Sequence, residues 1–178
     1  MRNLIMLTAA LLTATILNVS CNKDRGIKPS IEIDETNLTA CPANTNCESL
    51  FTEHAQFVPQ DGIKKLGVYR LFWASTVSSG MTSTIYVEAP MEGDTFSLGK
   101  EDILAGRVKF LQHCQGCNTI GYKPVDGYVK GRNLTPDKRA DQTKWLLEIK
   151  IILGVEGNTS FTQTMYIKQY FYPNFIYD

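Results

Sequence analysis

Between Trp145 and Leu153 the apolar side chains Trp145, Leu147, Ile149, Ile151 and Leu153 fall on every second residue, with Glu148 and Lys150 between them. A two-residue period gathers side chains on one face of a strand, whereas a helix scatters them around its circumference. The pattern recurs. After turn residues at 154–158, Phe161, Met165, Ile167 and Phe171 share one parity; Tyr69, Leu71 and Trp73 alternate in the same way, as do Ile85 and Val87. Residues 51–57 are also strand-like. Shorter strands are expected at 106–110 and at 125–131, where Gly127 and Gly131 mark a bend or bulge. Strand signals at spacings of roughly 10–20 residues, punctuated by Gly, Pro, Asn and Asp, predict one all-β domain over 41–178. The expected architecture is an antiparallel sandwich or barrel of about seven to eight strands. Helix is confined to about one turn at 99–105. Thr135-Pro136 has the look of a helix start, but 138–142 is expected as a polar hairpin loop.

The first twenty residues follow a different rule. Arg2 precedes an apolar run from Leu4 to Leu17, which ends at Asn18-Val19-Ser20-Cys21 and gives way to the polar Asn22-Lys23-Asp24-Arg25-Gly26. One positive charge and a short apolar stretch describe a secretory signal peptide, and the run falls short of the roughly 20 residues of a spanning helix. Ser20-Cys21 resembles the lipobox of bacterial lipoproteins, in which the cysteine becomes the lipidated first residue of the mature chain. It departs from that pattern at Asn18, where Leu is usual. The resemblance implies lipidation of Cys21 and attachment to a membrane through acyl chains. Asn22, where an Asp would retain some lipoproteins at the inner membrane, points to the outer membrane. Residues 22–40 are expected to form a flexible tether, with Ile31-Glu32-Ile33 as an alternative short edge strand.

Charge narrows the partners. The chain carries 18 basic and 18 acidic residues; Arg2 is the only charge in the first twenty, so the mature chain has 17 against 18, a balance of −1. Nucleic acid requires a basic surface, and this composition supplies none.

Four cysteines remain: Cys41, Cys47, Cys114 and Cys117. An even set in a secreted protein implies disulfides. Chain entropy favours crossed bridges, at about 4.4 kcal/mol each against about 2.4 and 1.9 kcal/mol for Cys41–Cys47 and Cys114–Cys117. Turn chemistry favours the local pairs, because Gln115-Gly116 permits the tight turn that Cys114–Cys117 needs, and Pro42 with 44–46 suits the other loop. Local bridges are expected. The alternative is a periplasmic thiol-redox or metal protein centred on Cys114/Cys117. Asn118 directly after Cys117 rules out covalent haem attachment, which needs His there, and a zinc site would need all four thiols or His113.

No catalytic constellation emerges. His54 and His113 are the only histidines, His54 on the solvent parity of its strand, and no Gly-x-Ser-x-Gly elbow is present. Glu101-Asp102 and Glu92/Asp94 are weak carboxylate pairs. No cofactor is implied. Tyr166, Tyr170 and Tyr172 share the parity opposite Met165, Ile167 and Phe171, giving a face able to stack on sugar rings or cover a protein partner; sheet surfaces also favour tyrosine through packing alone.

With its lipobox-like end, its paired cysteines and the segment Asp126-Gly127-Tyr128-Val129-Lys130-Gly131 before Trp145-Leu146-Leu147, the chain resembles small uncharacterised lipoproteins of Gram-negative bacteria. The resemblance implies an envelope address and a β-rich domain, without chemistry. The expected role is a lipid-anchored, non-enzymatic binding or adhesion module.

Overall fold

The computed structural model describes residues 31–174 apart from 66, 118, 119, 156 and 157. The expected signal peptide (1–20), Cys21 and the tether residues 22–30 lie outside the described residues. The alternating segments form nine strands: β1 (Asn46–Val58), β2 (Gly62–Lys65), β3 (Tyr69–Ser78), β4 (Met81–Pro90), β5 (Thr95–Leu98), β6 (Val108–Cys114), β7 (Tyr122–Asn133), β8 (Trp145–Val155) and β9 (Asn158–Pro173). They build one sheet in the order β5-β7-β8-β9-β1-β3-β4-β6, with β2 beside β1. The all-β expectation holds, as a single sheet curled into a half-barrel. Every pairing is antiparallel except the seam between β9 and β1, which is parallel and short: among the described residues it pairs Leu50↔Tyr172 and Phe51↔Pro173, and the Asn174 amide donates to the Phe51 carbonyl at 2.7 Å.

The concave face is aromatic. The Phe72 ring lies 5.4 Å from Phe51, 5.5 Å from Trp145, 5.6 Å from Phe96 and 5.7 Å from Phe171, distances at which edge and tilted pairs attract. Trp145, Leu147, Ile149, Ile151 and Leu153 are all buried against these rings, as their period demands. Gly131 is required here, since a Cβ at that position would overlap the Phe96 ring. Arg70 shares the inner parity and is kept buried by its partners: its guanidinium lies 4.4 Å from the Trp145 ring centroid and 3.1 Å from Glu53. A five-residue helix, α1 (Lys100–Leu104), buries Ile103 in the same core and packs on β7 where β6 comes round to meet it. The strand expected at 106–110 begins only at Val108, because Gly106 adopts a positive φ of 82° to leave the helix. Residues 135–143 form a loop with a short 3-10 turn at Ala140–Gln142, and the Thr135 hydroxyl accepts from the Lys144 amide rather than capping a helix.

Two coverings lie on the convex face. β1 is broken between Thr52 and Ala55, where His54 takes a φ of 54°. Beyond the break, β1 and β2 fold over β3 and β4, stacking Phe57 on Tyr86 at 3.8 Å and burying Leu71 and Trp73. Leu71 and Trp73 thus share a face as their alternation implies, but it is the outer one; Phe72 and Ala74 take the main core. The second covering corrects the tether. Residues 31–40 form neither a strand nor a free coil: Ile33 is 3 % exposed and Thr39 is bound to the edge of β9. The domain therefore reaches upstream of Cys41, because charged and backbone groups on β9 give this segment fixed partners.

Candidate functional site

The seam between β1 and β9 gathers four of the sequence-derived candidates, Cys41, Cys47, Tyr170 and Tyr172. β9 runs on past the start of β1, and the chain leading into β1 crosses the gap. The Thr39 amide donates to the Lys168 carbonyl at 2.8 Å, the Lys168 amide donates to the Thr39 hydroxyl at 2.9 Å, and the Gln169 side-chain amide donates to the Thr39 carbonyl at 2.7 Å. Cys41 and Cys47 then close the loop, with Cα atoms 5.9 Å apart. Inside the loop the Thr45 hydroxyl donates to the Pro42 carbonyl, and Asn44 adopts a φ of 59°, a region Asn tolerates.

Cys114 and Cys117 also lie at bridging distance, with Cα atoms 5.6 Å apart, and Gly116 has a φ of 86° as that turn requires. Both pairings are the local ones. Register places them at one end of the sheet, with β3 and β4 between them: Cys47 faces Thr76, and Cys114 faces Met81. His113 and His54 are exposed, and among the described residues no three His, Cys, Asp or Glu side chains converge on a metal position.

The three tyrosines point outward, but they do not form one platform. Tyr166 and Tyr172 are 45 % and 49 % exposed. Six residues of strand separate them by about 20 Å, beyond the span of one sugar ring. Tyr170 between them is engaged: its hydroxyl donates to Glu35 at 2.9 Å and the Lys144 ammonium sits 3.4 Å from its ring centroid. The Glu35 hydrogen bond raises the Tyr170 phenol above its ordinary pKa. Further along the face the Tyr128 hydroxyl donates to Glu148 at 2.8 Å, which pushes that phenol up to about 12.

Residues 31–40 are fixed over the row that contains Leu146. Register aligns Arg132, Leu146 and Tyr170 in one row across β7, β8 and β9. Glu35 takes bonds from both ends of that row, at 3.4 Å from Arg132 and 2.9 Å from Tyr170, and Leu146 in the middle is 0 % exposed. One row on, Asp34 meets the Lys168 ammonium at 2.8 Å. Hydrogen bonds from Lys168 and then Thr36 hold the Asp34 carboxyl down at about 2. Sequence reasoning missed Asp34, Glu35 and Thr39. The available signal was a lone apolar Leu146 and a Lys168 at outward positions of otherwise regular strands.

Two hollows flank the seam. One, of about 230 Å³, has Ala74, Met165, Ile167 and the Cys41–Cys47 loop in its wall; the other, of about 410 Å³, opens outward beside Tyr170, Tyr172, Gln169 and Glu48. Comparison with known proteins finds no matching family model, no similar curated protein and no similar solved structure.

Proposed function

We propose that this chain is a lipid-anchored envelope protein, held on the outer membrane through Cys21, and that its domain is a non-enzymatic binding module. The observation that carries the envelope address is the pairing of all four remaining cysteines in two local bridges at one end of the half-barrel. Such bridges persist in an oxidising compartment, which agrees with the signal-peptide pattern of residues 1–20. The proposed binding surface is the outward groove beside Tyr172 and Tyr170, where the half-exposed Tyr172 ring and the exposed Glu48 carboxylate offer stacking and hydrogen bonding to a glycan or a protein loop. Tyr166 lies about 20 Å along the strand from Tyr172 and outside this groove.

The test is recovery of envelope glycans or proteins by the full chain in detergent, compared with Tyr172→Ala and Tyr166→Ala. Loss with Tyr172→Ala and retention with Tyr166→Ala is expected. Equal recovery by both variants removes the groove as the binding surface.

A further inference from the structure

The free edge of β9 differs from every other edge of this sheet. β5 and β2 are four residues long, and β6 carries Lys109 and His113, devices that discourage a foreign strand from pairing. β9 from Asn158 to Ile167 reads Asn-Thr-Ser-Phe-Thr-Gln-Thr-Met-Tyr-Ile, without one charge or proline. Among the described residues its edge away from β8 meets only Thr39 at Lys168 and β1 at Tyr172 and Pro173. Thr39 also shows which backbone groups face that way. Both the N–H and the C=O of Lys168 bond to it, so the two-residue alternation turns the same groups of Tyr166, Thr164 and Thr162 to the open side.

We propose that this edge pairs with the same edge of a second copy of the chain, antiparallel and centred on Gln163. This register sets Thr162 of each copy against Thr164 of the other as hydrogen-bonded pairs, so exposed amides and carbonyls meet in both copies. It also sets Phe161 opposite Met165 of the second copy. Phe161 is 57 % exposed in the single chain, and Met165 and Ile167 line the 230 Å³ hollow that its ring would approach. A charged edge would repel its own copy; this one brings uncharged side chains into contact, with Ser160 opposite Tyr166 beyond the Thr, Gln, Phe and Met pairs, and threonine pairs across strands favourably. A single strand pair is a small interface, of the weak and transient class. Confinement on a membrane raises the local concentration that such an interface needs.

The experiment is oxidative crosslinking of the full chain in detergent with copper-phenanthroline, comparing Gln163→Cys, Asp61→Cys and the wild-type chain. Gln163 meets itself across the two-fold axis as a non-hydrogen-bonded pair, at a Cα separation of about 4.5 Å that suits a disulfide. Asp61 is exposed in the turn between β1 and β2. The expected result is a linked dimer from Gln163→Cys at severalfold the yield of the other two. Adding Thr162→Lys with Thr164→Lys, which sets lysines opposite each other, returns the yield to the Asp61→Cys level while the circular dichroism spectrum is unchanged. Equal yields from Gln163→Cys and Asp61→Cys, or a dimer that survives the paired lysines, overturn the proposal. The readout in detergent does not depend on lipidation of Cys21, so failure of the anchor and failure of the pairing are separable.

Discussion

The two coverings of the convex face solve the same problem with different forces. Over β3 and β4 the cover is apolar: Phe57, Ala55 and Ile63 lie on Leu71, Trp73 and Tyr86. One buried carboxylate fixes its position, since Glu88 accepts from the Phe57 amide at 3.0 Å and from Lys109 at 2.8 Å. Over β7, β8 and β9 the cover is held mainly by polar contacts. Asp34, Glu35 and Thr39 clasp Lys168, Tyr170, Arg132 and the β9 edge, and Ile33 and Leu146 are the buried apolar residues of this region. Apolar burial carries no titrating charge, whereas an ion pair whose carboxylate reaches solvent, as that of Asp34 does, is screened by salt and lost when the carboxylate is protonated. The first cover is thus part of the cooperative core; the second is a latch that solution conditions loosen.

Substitutions separate the two. Phe57→Ala removes the ring stacked on Tyr86 and opens the cover above Trp73, at a cost of about 3 kcal/mol or more in urea unfolding. Leu146→Ala is the sharper probe of the latch: a cost of about 2–3 kcal/mol means that residues 31–40 bury it as a core residue is buried, and a cost well below 1 kcal/mol means that they do not. Glu88→Ala leaves the Phe57 amide without an acceptor and Lys109 without its partner, and is expected to cost about 2 kcal/mol. The smallest effect belongs to acid. The Asp34 carboxyl lies at about 2 in the folded protein against its ordinary 3.8, so its contribution is complete above about pH 4 and is lost as pH falls toward 2. Amide exchange at Thr39 and Lys168 therefore accelerates across that window in the wild-type chain. In Asp34→Asn it is already fast at neutral pH and changes little with acid.

What the sequence disclosed follows the same division. The inner face was legible because Trp145 through Leu153 and Phe171 obey one unbroken period. The local cysteine pairs were legible because Gly116 permits a turn that few other residues accept. The outer position of Leu71 and Trp73 was not, since alternation sets which side chains share a face without saying which face is inside. That depended on the break at His54, a non-glycine residue at positive φ, which no local pattern announces. The latch was invisible for another reason. Asp34 and Glu35 find Lys168, Arg132 and Tyr170 about a hundred residues or more away in the chain, and ion pairs leave no periodic trace. The tyrosine face was read correctly as outward, yet Glu35 and Lys144 occupy its middle member.

In the proposed anchoring, Cys21 is the attachment point. Cells making the full chain are separated into soluble and membrane fractions, beside cells making Cys21→Ala. The wild-type chain is expected in the membrane fraction, released only by detergent, and the variant in the soluble fraction with its cysteine pairs intact. A Cys21→Ala chain that still sediments with membranes and needs detergent for release contradicts the lipid anchor.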